Sequence, residues 1–204
     1  MNSDPNSTPP LLVVLSGPSG VGKDAAIAGL KELGRPWHFA VTATTRPPRA
    51  GEQEGVDYIF LDDAAFADMR ERGEFLECAE VYGRWYGVPR SQVSQGLDAG
   101  KDVILKIDVQ GAETVRRLAP DAVFIFMVPG SIGELRRRLA SRMTETSPEI
   151  ELRLRVALDE LARGEDFEYR VVNSDGNLER TVSSIDAIIT AERCRAVPRR
   201  AQLL

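Results

Sequence analysis

The apolar run Leu11-Leu12-Val13-Val14-Leu15 leads straight into Ser16-Gly17-Pro18-Ser19-Gly20-Val21-Gly22-Lys23-Asp24, and this junction limits the possible folds more than any other stretch. An unbroken apolar run of this kind suits a strand buried on both faces. The glycines let the backbone curl until successive N–H groups point at one centre, which makes an anion-binding hollow. Ala25-Ala26-Ile27 through Leu30 suits a helix whose positive N-terminal end faces the same anion. Gly17, Gly22 and Lys23 stand at the Gly-x-x-x-x-Gly-Lys spacing of a phosphate-binding P-loop. The reading places Gly17, Pro18, Ser19, Gly20, Val21, Gly22, Lys23 and Asp24 around the phosphates of a nucleotide, with Lys23 reaching the outermost ones. The pattern calls next for Ser or Thr, a hydroxyl ligand for Mg²⁺, and this chain has Asp24.

With 204 residues the chain has room for one compact domain and an inserted subdomain. A net charge of −5 argues against general nucleic-acid binding. Arginine supplies 22 of the 26 basic residues, and its forked guanidinium suits phosphate oxygens. Cys78 and Cys194 lie far apart, form no metal-ligand pattern, and read as free thiols of a cytoplasmic protein. No apolar run approaches the ~18 residues of a membrane span. Residues 1–10 hold three prolines and no signal-peptide core and read as a disordered tail, and residues 196–204 read as similarly loose.

Strand-like runs at residues 11–16, 103–108, 123–128 and 170–173 alternate with helical patterns. The stripes Ile132, Leu135, Leu139, Met143, then Ile150, Leu154, Ala157, Leu158, Leu161, then Leu178, Val182, Ile185, Ile189 have helical spacing. Alternation of this kind predicts an α/β fold with a parallel sheet covered on both faces. Residues 37–90 break the alternation with turn residues and short β-type runs, which predicts an inserted mixed α/β subdomain. Residues 136–163 carry arginine-rich helical stripes joined by a polar turn, the pattern of a helical lid. The core is then residues 11–36, 91–135 and 164–195. His38, Trp37 and Trp85 read as structural residues.

The segment Val41-Thr42-Ala43-Thr44-Thr45-Arg46-Pro47-Pro48-Arg49-Ala50-Gly51-Glu52, followed by Gly55-Val56-Asp57-Tyr58, resembles the monophosphate-binding segment of guanylate kinases. Phe75-Leu76-Glu77, Tyr86-Gly87, Ile107-Asp108-Val109-Gln110-Gly111-Ala112 and Val171-Val172-Asn173 extend the resemblance in order along nearly the whole chain. It implies a P-loop kinase fold with a GMP-binding subdomain and a lid. It also implies the reaction ATP + GMP ⇌ ADP + GDP, with Mg²⁺, in a protein whose partners are those small molecules and which is a monomer or homodimer. By resemblance, Arg46, Arg49 and Tyr58 hold the GMP phosphate, while Thr42, Glu77, Tyr86 and Asp108 complete the GMP site. A carboxylate at Glu77 can accept from guanine N1–H and the 2-amino group, a donor pair that adenine lacks. Arg138, Arg142 and Arg153 border the lid's apolar stripes, and in the family such arginines neutralise the transferring group together with Lys23 and Arg46. Asn173 resembles the residue that contacts adenine. The competing readings are a non-catalytic binding module of the same fold and a kinase for another phosphorylated acceptor.

Three positions depart from the family pattern. Asp24 replaces the P-loop hydroxyl, Lys106 stands where family members can carry an acid, and Val88 stands where Ser or Thr usually bonds to guanine. An acid gained opposite a base gained predicts an Asp24–Lys106 ion pair. The rival expectation is that Asp24 ligates Mg²⁺ directly. Val88 is expected to remove a polar contact to the base.

Overall fold

The computed structural model describes residues 8–81, 83–141, 147–201 and 203. Five strands form the core sheet: β1 (Leu12–Ser16), β2 (His38–Phe39), β7 (Val103–Lys106), β8 (Val123–Pro129) and β9 (Tyr169–Asn173). They lie in the order β2-β7-β1-β8-β9, and every pairing is parallel. All residues of β1 and β8 are buried, as their apolar runs require. Two apolar layers cover the sheet. One gathers Val13 and Leu15 with Ala26 and Leu30 of α1 (Lys23–Glu32) and Val182, Ile185 and Ile189 of α7 (Leu178–Arg193). The other gathers Leu12 and Val14 with Val93 of α3 (Arg90–Asp98) and Ala112 and Val115 of α4 (Val109–Leu118).

A second sheet holds β3 (Ala43–Thr44), β4 (Ile59–Phe60), β5 (Phe75–Val81) and β6 (Arg84–Pro89) in the order β4-β3-β6-β5. The β3–β4 pairing is parallel and the other two are antiparallel. Its own small core joins Ala43 and Phe75 to Phe66 of α2 (Asp63–Glu71), whose ring stacks on Phe75 at 4.5 Å between centroids. The helices α5 (Ile132–Ser141) and α6 (Ser147–Ala162) pack through Leu135, Leu139, Leu154 and Ala157, while Ile132 and Leu158 of the same stripes are exposed and Met143 lies outside the described residues.

Two boundaries differ from the sequence reading. His38–Phe39 falls inside the stretch expected to be inserted, yet it is an edge strand of the core sheet, with His38 opposite Val103. Two residues are too few to show a period. The described residues after α7 have no regular secondary structure, but several of them are held in place. Arg199 donates to Glu192 Oε2 at 2.7 Å and pairs with Glu168 at 3.1 Å, and Ala201 and Leu203 pack on the core. The expected tail at residues 1–10 lies largely outside the described residues. Among the described residues no helix is long and apolar enough to cross a membrane.

Candidate active site

The C-terminal ends of β1 and β7 meet at the middle of the core sheet, where an open parallel sheet leaves a crevice. The loop after β1 curls there before α1 begins. Gly17 has φ +146°, and a Cβ on it would stand 2.5 Å from the Met127 carbonyl oxygen. Gly22 has φ +99°, and a Cβ there would run into the Asn173 side-chain nitrogen. No other residue type fits either place without displacing backbone or a buried amide. Lys23 folds back on the loop, where its ammonium donates to the carbonyls of Gly17 and Pro18. Burial pushes the Lys23 pKa down, and the Glu160, Asp24 and Asp108 carboxylates oppose that shift.

Facing the loop is a cavity of about 520 Å³ between the two sheets. It brings together the P-loop residues from Pro18 to Asp24 with Thr42, Arg46, Arg49, Tyr58, Glu77, Tyr86, Asp108 and Arg153. The Arg46 guanidinium grips Glu52 with both carboxylate oxygens, at 2.8 and 2.9 Å, and lies 5.3 Å from the Tyr58 ring centroid. Glu52 also accepts from the Arg49 backbone N–H at 2.7 Å, so one carboxylate sets the whole Arg46–Arg49 turn. Thr42 Oγ1 is buried and has no hydrogen-bond partner among the described residues.

Glu77 lies at the back of this cavity, 5 % exposed, with Gly111 so close that a Cβ there would stand 2.5 Å from the carboxylate. Burial and the neighbouring Asp108 charge push its pKa up to about 8, against the opposing pull of the Val88 backbone N–H. Asp108 does two things at once. It caps α4 by accepting from the Gly111 N–H at 2.7 Å, and it lines the cavity.

A stability prediction follows from Glu77. Its folded pKa lies above its ordinary 4.5, so its stabilising contribution is complete below about pH 4.5 and is lost as pH rises through about 8. The neutral Glu77→Gln variant is expected to unfold at the same temperature as wild type near pH ~5 and at a higher one near pH ~8.5. Equal thermal midpoints at both pH values would show that no such proton is held.

Other expected site residues take different places. Arg138 braces the P-loop from α5, donating to the carbonyls of Val21 at 2.9 Å and Asn173 at 3.0 Å and pairing with Asp175 at 2.7 Å. The Asn173 side chain, expected against adenine, is instead bound inside the protein. It donates to the Val21 carbonyl at 2.7 Å and accepts from Thr181 Oγ1 at 3.0 Å, which fastens β9 to the loop. Arg142 lies outside the described residues. Val88 is fully buried among Leu76 and Val93, so its side chain belongs to the apolar layer and only its backbone bears on Glu77. Sequence reasoning missed Glu160, which reaches from α6 to accept the Ser19 backbone N–H at 3.1 Å, placing a carboxylate against a P-loop amide. Its position on a polar helix face gave no signal of this.

Comparison with known proteins decides which family builds this arrangement. The family model described as guanylate kinase matches residues 10–192. The chain belongs to the guanylate kinase family. The chain is 44 % identical to the guanylate kinase of Myxococcus xanthus over 96 % of its own length and 93 % of the relative's. It is 45 % identical to the chloroplastic/mitochondrial guanylate kinase 2 of rice, over 95 % of this chain and 69 % of that one. The crystal structure of the guanylate kinase from Anaplasma phagocytophilum superposes with a TM-score of 0.76 at 34 % identity, covering 94 % of this chain and 89 % of that one.

Within this family member, Asp24 and Lys106 are in contact. Lys106 Nζ donates to Asp24 Oδ1 at 2.7 Å, so the two departures from the family pattern meet as a pair. Among the described residues no group of three or more His, Cys, Asp or Glu is assembled for a metal. A Mg²⁺ ion entering with ATP would take its ligands chiefly from phosphate and water, which is this ion's habit.

Proposed function

We propose that the chain transfers the γ-phosphoryl group of ATP to GMP, giving ADP and GDP, by in-line displacement assisted by Mg²⁺ and arginine charge. The observation that carries this reading is the shared cavity. Lys23 in its P-loop and the buried Glu77 carboxylate line the same space, with Arg46, Arg49, Tyr58 and Arg153 between and around them. Phosphoryl transfer needs little covalent help from a protein. It needs two phosphates held in line in a site that supplies positive charge and excludes water. The P-loop amides and Lys23 hold the donor phosphates. Arg46, Arg49 and Tyr58 hold the acceptor phosphate, and Glu77 accepts from the guanine edge. Mg²⁺, when bound, neutralises charge on the donor phosphates. Arg153 contributes from the lid side, and Arg138 acts by holding the Val21 carbonyl and thus the shape of the loop.

The test is ADP release with Mg²⁺-ATP against GMP, dGMP, AMP, CMP, UMP and a ribosyl bisphosphate. Turnover confined to the guanine nucleotides is the expected result. Turnover with the bisphosphate alone would reassign the acceptor, and GMP binding without turnover would make the chain a binding module.

A further inference from the structure

Lys106 ends β7, in register with Leu15 of β1, and its side chain is 17 % exposed. Its ammonium makes two bonds that reach different parts of the molecule. One goes to Asp24 in the first turn of α1 at 2.7 Å, and the other to the Tyr58 hydroxyl beside β4 at 3.0 Å. The ammonium also lies 4.3 Å from the Tyr58 ring centroid. Tyr58 in turn meets Tyr86 edge-on, with centroids 6.2 Å apart, and carries the Arg46 guanidinium over its ring. One lysine therefore links the core sheet's phosphate loop to the aromatic and arginine cluster of the second sheet.

An ammonium has donors only, whereas a phenol can donate one proton and accept through its oxygen. In the Lys106–Tyr58 bond the lysine must donate and the tyrosine oxygen must accept. The phenol proton is then directed away from Lys106, and Tyr58 lines the same cavity as Arg46 and Arg49. An acid at position 106 would impose the opposite polarity by taking the phenol proton for itself.

We propose that Lys106 is a positioning residue for the acceptor phosphate: it turns Tyr58 into a hydrogen-bond donor aimed at that phosphate, with Asp24 anchoring the ammonium. The proposal rests on the assignment of Tyr58 to the acceptor site. It differs from a role as mere counter-ion to Asp24, because the effect passes through Tyr58 and concerns only the phosphate.

The experiment is calorimetric titration of GMP and of guanosine, without ATP or Mg²⁺, into wild type, Tyr58→Phe, Asp24→Asn, Asp24→Asn/Lys106→Met and Asp24→Asn/Lys106→Met/Tyr58→Phe. The Asp24→Asn background removes the carboxylate that the Lys106 change would otherwise deprive of its lysine. Thermal unfolding confirms that each variant is folded. Relative to Asp24→Asn, the Lys106→Met change is expected to weaken GMP about tenfold and guanosine less than about twofold. Adding Tyr58→Phe should then weaken GMP little further, because the two residues act as one unit. Unchanged GMP affinity in Asp24→Asn/Lys106→Met would leave Lys106 a counter-ion and overturn the proposal. Equal losses for GMP and guanosine, or fully additive losses from Lys106 and Tyr58, would overturn it as well. Failure of wild type to bind GMP would instead sink the acceptor assignment itself.

Discussion

Glu77→Gln is expected to lower kcat/KM for GMP by about 10³-fold while changing the low activity with AMP much less. An ionised carboxylate offers only acceptors to the guanine edge. An amide must present one donor, which would face a guanine donor across a gap that water cannot enter, because the residue is 5 % exposed. The side chain cannot swing away, since Gly111 and the head of α4 press against it. The loss should appear as a collapse of the GMP-to-AMP ratio in steady-state kinetics. A ratio within about threefold of wild type would show that Glu77 does not read the base. Wild type should also bind GMP more tightly as pH rises toward about 8, where the free carboxylate ionises, and Glu77→Gln should lack that dependence.

Lys23→Ala is expected to reduce kcat by about 10²–10³-fold while leaving the GMP dissociation constant within about threefold. In this structure the ammonium is held by the Gly17 and Pro18 carbonyls inside the loop it serves, with Glu160 acting on it from α6. A phosphate in the loop offers that ammonium a stronger acceptor, and the charge there grows on the way to the transition state. Removing the lysine therefore removes stabilisation made mainly in the transition state, which lowers kcat rather than substrate binding. Calorimetry with GMP and a coupled ADP assay separate the two quantities. A change confined to the KM for ATP, with kcat preserved, would reduce Lys23 to a binding residue.

The legible parts of the fold were those whose burial leaves a periodic mark. The strands β1, β7 and β8 are largely apolar because they lie inside the sheet, the edge strand β9 buries only Val171 and Asn173, and α5, α6 and α7 carry stripes because one face of each is covered. The two-residue strands β2, β3 and β4 carry no period to read. The helix α2 buries only Phe66, so it shows no stripe, and its clearest local signal is the Asp62 cap accepting from the Ala65 N–H at 2.7 Å. The site was legible where a motif is contiguous, as in the P-loop and the Thr42–Tyr58 segment. It was not legible where function depends on a partner far along the chain. Ser19 meets Glu160 across 141 residues, and Lys106 meets Tyr58 across 48. The Asp24–Lys106 contact was foreseen because two opposite charges replaced two expected residues together. Asn173 shows the reverse problem, because a buried amide can serve the loop's backbone as readily as a ligand, and spacing does not separate the two.

The contacts of Arg199 also bear on how the protein tolerates damage at its end. Glu192 has a side chain 1 % exposed, and Arg199 holds it at 2.7 Å while also reaching the Ala122 carbonyl at 3.3 Å. A trimming protease entering from the far side of Arg199 would first take Leu203 and Ala201 off the core and then reach that residue. Loss of Arg199 would leave the buried Glu192 carboxylate with only Tyr169 and the longer Arg195 pairing at 3.7 Å, and would strip a brace from the end of the sheet. The irregular segment thus behaves as a latch, and an added purification handle is safest when it begins beyond the residues that close it.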